Sequence, residues 1–165
     1  MKFQLVDRIE CIEPPKRIVT SKALSLAEEY LADHFPTFPV LPGVLMLEAL
    51  VQSAAWLVRV EQDFAKSCIV LGRARNVRYA SFVQPGSVLR CELEAVEISE
   101  TVAIFKGIGR VDDRQSVSAR LDLRCFNLSE RAGHLAGADE AIRRRLRETF
   151  TLVGGPNALR RPASE

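Results

Sequence analysis

The segment from Val40 to Val60 is dominated by Val, Leu and Ala, and it limits the possible folds of this chain more than any other feature. A run this apolar has to be shielded from water, either by lipid or by protein. Glu48, Gln52 and Ser53 sit in its middle and Pro42 and Gly43 near its start. A carboxylate at the centre of a bilayer costs about 2.5–3.5 kcal/mol even on the most lenient insertion scale, and the run is barely long enough to span. The expectation is therefore a helix from Gly43 to about Glu61, buried in protein and enclosed on every side because it has almost no polar face. Pro42 fits just before or at its first turn, where a missing N–H does no harm.

The rest of the chain supplies what could enclose it. Phe3 to Glu13 reads as extended, Pro14-Pro15-Lys16 as a turn, and Arg17 to about Ser21 as a second strand. A short helical turn is expected through Ala27 to Leu31. Four more extended segments follow the helix: roughly Cys68 to Val77, Val88 to Val96, Val102 to Val111, and Ser116 to Leu128. In the last, Val117, Ala119, Leu121, Leu123 and Cys125 alternate with Ser118, Arg120, Asp122 and Arg124, the period of a strand with one buried face. Leu89, Cys91 and Leu93 alternate with Arg90, Glu92 and Glu94 in the same way, and the period slips near Ala95-Val96, where a bulge is expected. Pro85-Gly86 and Asp112-Asp113-Arg114 mark turns. A mostly antiparallel sheet with one polar face must cover the other, and only the helix from Gly43 is large and apolar enough. The predicted class is α+β, with a curved sheet wrapped around a long central helix. Beyond Leu128 the character changes: a small, polar stretch leads to a helix over Asp139 to Phe150, with Ile142, Leu146 and Phe150 on one face, ended by Gly154-Gly155-Pro156 and a flexible tail. The chain thus divides into a main unit, 1–128, and a C-terminal extension, 129–165.

Composition removes other classes. With 165 residues, 47% hydrophobic and 27% charged, the chain suits one soluble domain. A net charge of +2 is too small to argue for nucleic acid. The Arg143, Arg144, Arg145 and Arg147 cluster is flanked by Asp139, Glu140 and Glu148 and reads as the outer face of an amphipathic helix. Cys11, Cys68, Cys91 and Cys125 form no CxxC pair, and three of them sit in alternating strand-like segments where a thiol acts as a small buried hydrophobe, so no metal site is expected. Charges interrupt the opening MKFQLVDRIE, which argues against a signal peptide and for a cytoplasmic setting. His134 lies among small residues and reads as solvated.

Two residues could carry chemistry. His34 opens a loop holding Pro36, Pro39 and Pro42, whose stiffness lowers the entropy lost in fixing a side chain. Glu48 stands among Val44, Leu45, Met46, Leu47, Ala49 and Leu50, with Gln52 at i+4 on the same helical face. Burial without a partner would raise the Glu48 pKa and make it a proton donor at neutral pH. The N–H groups at Gly43, at the positive end of the helix dipole, could polarise a carbonyl, and glycine leaves room for a ligand. Such a set suits proton abstraction beside a carbonyl, provided that the groups meet. An isolated histidine beside a proline loop can equally be structural.

His34-Phe35-Pro36, Pro39-Val40, Pro42-Gly43-Val44-Leu45, Glu48-Ala49 and Gln52 together resemble the signature of the FabZ-type 3-hydroxyacyl-(acyl-carrier-protein) dehydratases, which have the hotdog fold. Leu5 to Arg8, Glu13-Pro14, Lys16 to Val19, Val83 to Gly86 and Phe105 to Gly107 extend the resemblance over about residues 3 to 128. The resemblance implies that His34 takes the substrate α-proton, Glu48 protonates the leaving β-hydroxyl, the Gly43 N–H holds the thioester carbonyl, and Gln52 orients Glu48 or water, with Phe35 also at the substrate. It further implies a homodimer or trimer of dimers whose sites draw His34 and Glu48 from opposite protomers. The substrate would ride on the phosphopantetheine of an acyl carrier protein into an apolar tunnel, with no other cofactor. Carrier proteins are acidic, and Arg75 and Arg78 are the candidates to meet one. Asp33 and Thr37 stand where the family usually has glycine, Ala80-Ser81 where it has a basic pair, and Ser87 where it has an acidic residue; Asp33 would raise the His34 pKa. Two other readings stay open: a hotdog acyl thioesterase in which Glu48 activates water, and a non-catalytic module that binds acyl carriers.

Overall fold

The structure, a computed structural model, describes residues 3–160. Six strands form one antiparallel sheet: β1 (Arg8–Glu13), β2 (Arg17–Ala23), β3 (Cys68–Tyr79), β4 (Val88–Ile98), β5 (Val102–Val111) and β6 (Arg114–Phe126). Their spatial order is β1-β2-β4-β5-β6-β3. The helix α1 (Gly43–Glu61) packs against β2 to β6. This is the hotdog arrangement, a sheet curled around one central helix. The inward positions of β4, β5 and β6, including Leu89, Leu93, Phe105, Leu121 and Leu123, are sealed by Leu50, Ala54, Leu57 and Val58 of α1. By length and composition alone α1 could cross a membrane, but its apolar side is the core of this fold.

Small residues set how closely sheet and helix approach. A Cβ on Gly107 would stand 3.2 Å from Leu93 Cδ2 and 3.5 Å from Leu50 Cδ1. On Gly109 it would stand 2.7 Å from Val117 Cγ1 and 3.0 Å from Leu89 Cδ1. Two hydroxyls buried between sheet and helix satisfy each other. Ser53 Oγ donates to the Ala49 carbonyl at 2.6 Å, so Thr20, at 2.7 Å, is the donor to Ser53. Burial pushes the nearby Cys91 thiol up to about 12, so it is an inert, protonated filler.

The ladder shifts register between Ala95 and Glu97, where the sequence period slips. β3 runs longer than expected, to Tyr79, because it continues as long as β6 offers partners, and β6 lies two residues earlier than expected, from Arg114 to Phe126. β1 begins only at Arg8. Phe3 to Leu5 is held by the Gln52 side chain of α1 rather than by a neighbouring strand, so this stretch of the predicted first strand is not in the sheet.

The C-terminal helix α2 spans Ala136–Leu152 and is followed by a short α3 (Gly155–Ala158). Phe150 inserts between Trp56 and Phe64, with ring centroids 5.8 and 5.7 Å away. Asp139, expected on the solvated face, is buried. It accepts hydrogen bonds from Ser67 Oγ, from Leu128 N at 2.9 Å and from Ser129 N at 2.9 Å, so it anchors α2 to the end of the sheet. Arg143 donates to Asn127, and Arg147 pairs with Asp63 and stacks on Phe64. The chain from Val153 onward is also docked: Ile9 N donates to Val153 O, Leu159 bridges to Ile12 of β1, and Arg160 N donates to Ile12 O. What remains of the expected flexible tail, 161–165, lies outside the described residues.

Two measurements probe these contacts. Gly109→Ala drives a methyl group into Val117 and Leu89 of the neighbouring strands and is expected to cost about 1–3 kcal/mol of unfolding free energy by urea titration; an unchanged midpoint would show the site has slack. For Asp139, burial pushes the carboxyl pKa up, but the hydrogen bonds from Ser67, Ser129 and Leu128 outweigh it and hold the group well below its usual range. Its stabilisation is therefore fully present above the unfolded-state value of 3.8 and is lost as the pH falls towards the folded-state value. Asp139→Asn should remove that part of the acid limb and speed amide exchange at Leu128 and Ser129.

Candidate active site

His34 lies at the head of a closed loop. Val40 N donates to His34 O at 3.1 Å and Phe38 N to Phe35 O at 2.9 Å, so the proline-rich segment folds back on itself, and Leu41 N donates to Val83 O at 2.9 Å to tie its exit to the body of the fold. His34 Nδ1 is 3.0 Å from Val40 O. A carbonyl only accepts, so Nδ1 carries the proton and Nε2 keeps its lone pair. The ring is thus oriented by its own loop, with Nε2 able to accept a proton.

His34 lines a cavity of about 370 Å³ with Phe35, Gly43, Met46, Tyr79 and Phe82 among its walls. Gly43 opens α1, and among the described residues neither its N–H nor that of Val44 has an acceptor. A Cβ at position 43 would sit 3.1 Å from Tyr79 Cε1, so glycine is needed for the ring of β3 to close over the helix start. Tyr79 was not singled out from the sequence; its only signal was a place at the end of a strand.

Glu48 is half-buried, not enclosed. The helix face that carries it is uncovered in the protomer: Val44 is 70% exposed, and Leu45, Leu47 and Gln52 are only partly buried. The expectation of enclosure on every side fails because the sheet wraps one side of α1 and stops. Gln52 Nε2 donates to Glu48 Oε1 at 3.0 Å and to Phe3 O at 2.9 Å, while Gln52 Oε1 accepts from Leu5 N at 2.9 Å. One amide therefore holds the carboxylate and the incoming chain together.

Glu48 and Gln52 line a second cavity, of about 350 Å³, roofed by α2. Within one protomer His34 and Glu48 therefore face different cavities. Phe35, Phe38, Val44, Val70, Tyr79 and Phe82, all between 44% and 70% exposed, lie on the loop, the start of α1, the edge strand β3 and the turn after it.

Arg75 gives both carboxylate oxygens of Asp122 a partner from Nη2, at 2.7 and 2.8 Å, so its charge is compensated. Arg78 is exposed and has no ion pair among the described residues. His134 is exposed, and no cluster of metal-ligating residues occurs among the described residues.

Residues 1–120 match the FabA-like domain family. The 3-hydroxyacyl-(acyl-carrier-protein) dehydratase FabZ of Clostridium acetobutylicum is 37% identical over 117 residues, 71% of this chain and 83% of that protein. The protein of the same name from Caulobacter vibrioides is 37% identical over 119 residues, 71% of this chain and 75% of the relative. Among solved structures, the dehydratase heterocomplex ApeI:P from Xenorhabdus doucetiae superposes with a TM-score of 0.64 over 81% of this chain and 90% of that one, at 19% identity, a likeness of fold.

Gln52→Ala should free the N-terminal segment and leave Glu48 without its donor. Amide exchange at Leu5 is expected to rise about 2- to 10-fold, the loss of one net hydrogen bond; unchanged protection would mean that the segment is held by packing alone.

Proposed function

The chain belongs to the FabA-like domain family, and from that premise we propose that it dehydrates 3-hydroxyacyl thioesters, carried by an acyl carrier protein, to trans-2-enoyl thioesters in fatty acid or related lipid synthesis. The observation that carries the reading is a histidine fixed with its Nε2 free beside unpaired N–H groups at the start of α1, in a chain whose one carboxylate on the open face of that helix is Glu48.

Elimination then runs as follows. The N–H groups of Gly43 and Val44 donate to the thioester carbonyl and stabilise the charge that develops when the α-proton leaves. His34 Nε2 takes that proton from C2, the C2–H electrons form the C2–C3 double bond, and the C3–O bond breaks. Glu48 gives its proton to the departing hydroxyl, which leaves as water. Return of the proton from His34 to Glu48 restores the site, so the balance needs no redox partner; phosphopantetheine belongs to the substrate. Gln52 keeps the Glu48 carboxyl turned to the reaction, and Phe35 flanks the acyl group.

His34 of one protomer would act with Glu48 of the partner subunit. Three observations support this: the two lie in separate cavities of one chain, the edge strand β3 has no neighbour on its outer side, and exposed aromatic and aliphatic side chains surround that edge. An unpaired edge beside an apolar patch is what pairing of two copies removes. A homodimer is the unit proposed, alone or as a trimer of dimers. Residues 1–128 form the catalytic unit and 129–165 its extension; the setting is cytoplasmic. Of the two arginines, Arg78 is the better contact for an acidic carrier because Arg75 is already paired.

The test follows enoyl absorbance with 3-hydroxyacyl and trans-2-enoyl thioesters. His34→Ala and Glu48→Gln should each lose roughly 10²–10⁴ in rate. Mixed and re-paired, the two inactive variants should recover roughly a quarter of the wild-type sites, since one site of each mixed dimer is intact; no recovery would put both residues in one protomer. Thiol release without enoyl formation would replace the dehydratase by a thioesterase.

A further inference from the structure

The cavity that holds Glu48 has a second end. Along α1 its floor is the stripe Glu48, Gln52, Trp56 and Arg59, spaced at i, i+4, i+8 and i+11 so that all share one face. Eleven residues place Arg59 about 16 Å along the axis from Glu48. The roof is α2, which turns Ile142, Arg145 and Leu146 towards this floor.

Arg59 is half-buried, and among the described residues it differs from the buried cations in lacking an acidic partner. Lys22 meets Asp7 at 3.1 Å and Glu28 at 2.7 Å, and Lys66 meets Glu100 at 3.2 Å and Glu130 at 3.0 Å. Among the described residues Arg59 has no carboxylate, and its Nε is sealed from solvent with no hydrogen-bond partner. Its guanidinium carbon lies 5.0 Å from the centroid of the Trp56 ring, which offsets part of the charge. The titratable groups facing it from the sheet are Cys68 and Cys125, and burial lowers the guanidinium pKa to about 10 against their opposing influence, so it stays charged at neutral pH. Arg145, also without an ion pair among the described residues, lines the same cavity. A partly desolvated cation with no acidic partner is short of an anion, and a planar guanidinium matches a carboxylate best.

We propose that this cavity takes the distal part of the acyl chain and that Arg59, with Arg145, selects thioesters whose far end carries a carboxylate. The proposal rests on Glu48 as the proton donor at the near end: a 3-hydroxyacyl group reacting there would run along α1 beneath α2 and place its terminus at Arg59. The apolar wall of Trp56, Ile142 and Leu146 accommodates the methylene chain between them.

The test compares 3-hydroxyacyl pantetheine thioesters of matched length ending in a methyl or a carboxylate. Wild-type protein should favour the carboxylate by about 10- to 100-fold in kcat/KM, the worth of one charge-assisted pair. Arg59→Met should collapse that ratio and Arg59→Lys keep part of it. Equal turnover of the two series by wild type, which needs no variant to fold, overturns the proposal. Binding of unreactive thioether analogues to wild type separates the two readings. A carboxylate preference in binding with no turnover of any thioester supports the subsite and sinks the dehydratase; turnover with no preference in rate or binding sinks the subsite alone.

Discussion

An apolar helix needs cover on all sides, and this sheet gives cover on only one. The six strands seal the face of α1 that carries Leu50, Ala54, Leu57 and Val58, and they can close over it because Gly107 and Gly109 put no side chain in the way. The opposite face, from Val44 to Gln52, is left to other things: a loop at one end, the N-terminal segment beside it, and α2 over the last turns. The two cavities that His34 and Glu48 line lie along this uncovered line. The incompleteness of the core is thus what creates a place for a substrate.

The chemistry proposed at that line depends on two side chains being held by very local means. The His34 ring is oriented by a carbonyl six residues further along its own loop, so the base is set without help from the sheet. Glu48 is oriented by Gln52, one turn along the same helix, and that amide is itself fixed by Phe3 and Leu5. Both arrangements survive any motion of the sheet that leaves α1 and its loop intact. Neither protomer alone brings the two groups to one cavity, and the apolar edge around β3 offers the surface on which a second copy would do so.

The extension after Leu128 is built into the fold rather than appended to it. A buried carboxylate, Asp139, satisfies two N–H groups and a hydroxyl at the end of the sheet, and Phe150 fills the gap between Trp56 and Phe64. Its position over the Glu48 cavity makes the extension part of the pocket, and the unpaired Arg59 beneath it gives that pocket a polar end.

Much of this was legible in the chain itself. Strand alternation in Leu89 to Glu94 and Val117 to Cys125, the slip near Ala95, and the apolar run after Pro42 are local patterns that mark the elements and the wrapped-sheet class. His34, Gly43, Glu48 and Gln52 stood out by a proline loop, a helix start, a carboxylate in an apolar run and the resemblance to FabZ-type dehydratases. Periodicity records which side of an element is apolar; it does not record how far the neighbouring element reaches. For that reason the sequence predicted Glu48 to be enclosed, Asp139 to be solvated and Phe3 to Leu5 to be strand, and the tertiary structure decided otherwise in each case. The separation of His34 and Glu48 into two cavities, the closure of Tyr79 on Gly43, and the burial of Arg59 under α2 depend on contacts between segments far apart in the chain. Only the packed fold could determine them, because no local pattern encodes where two distant surfaces meet.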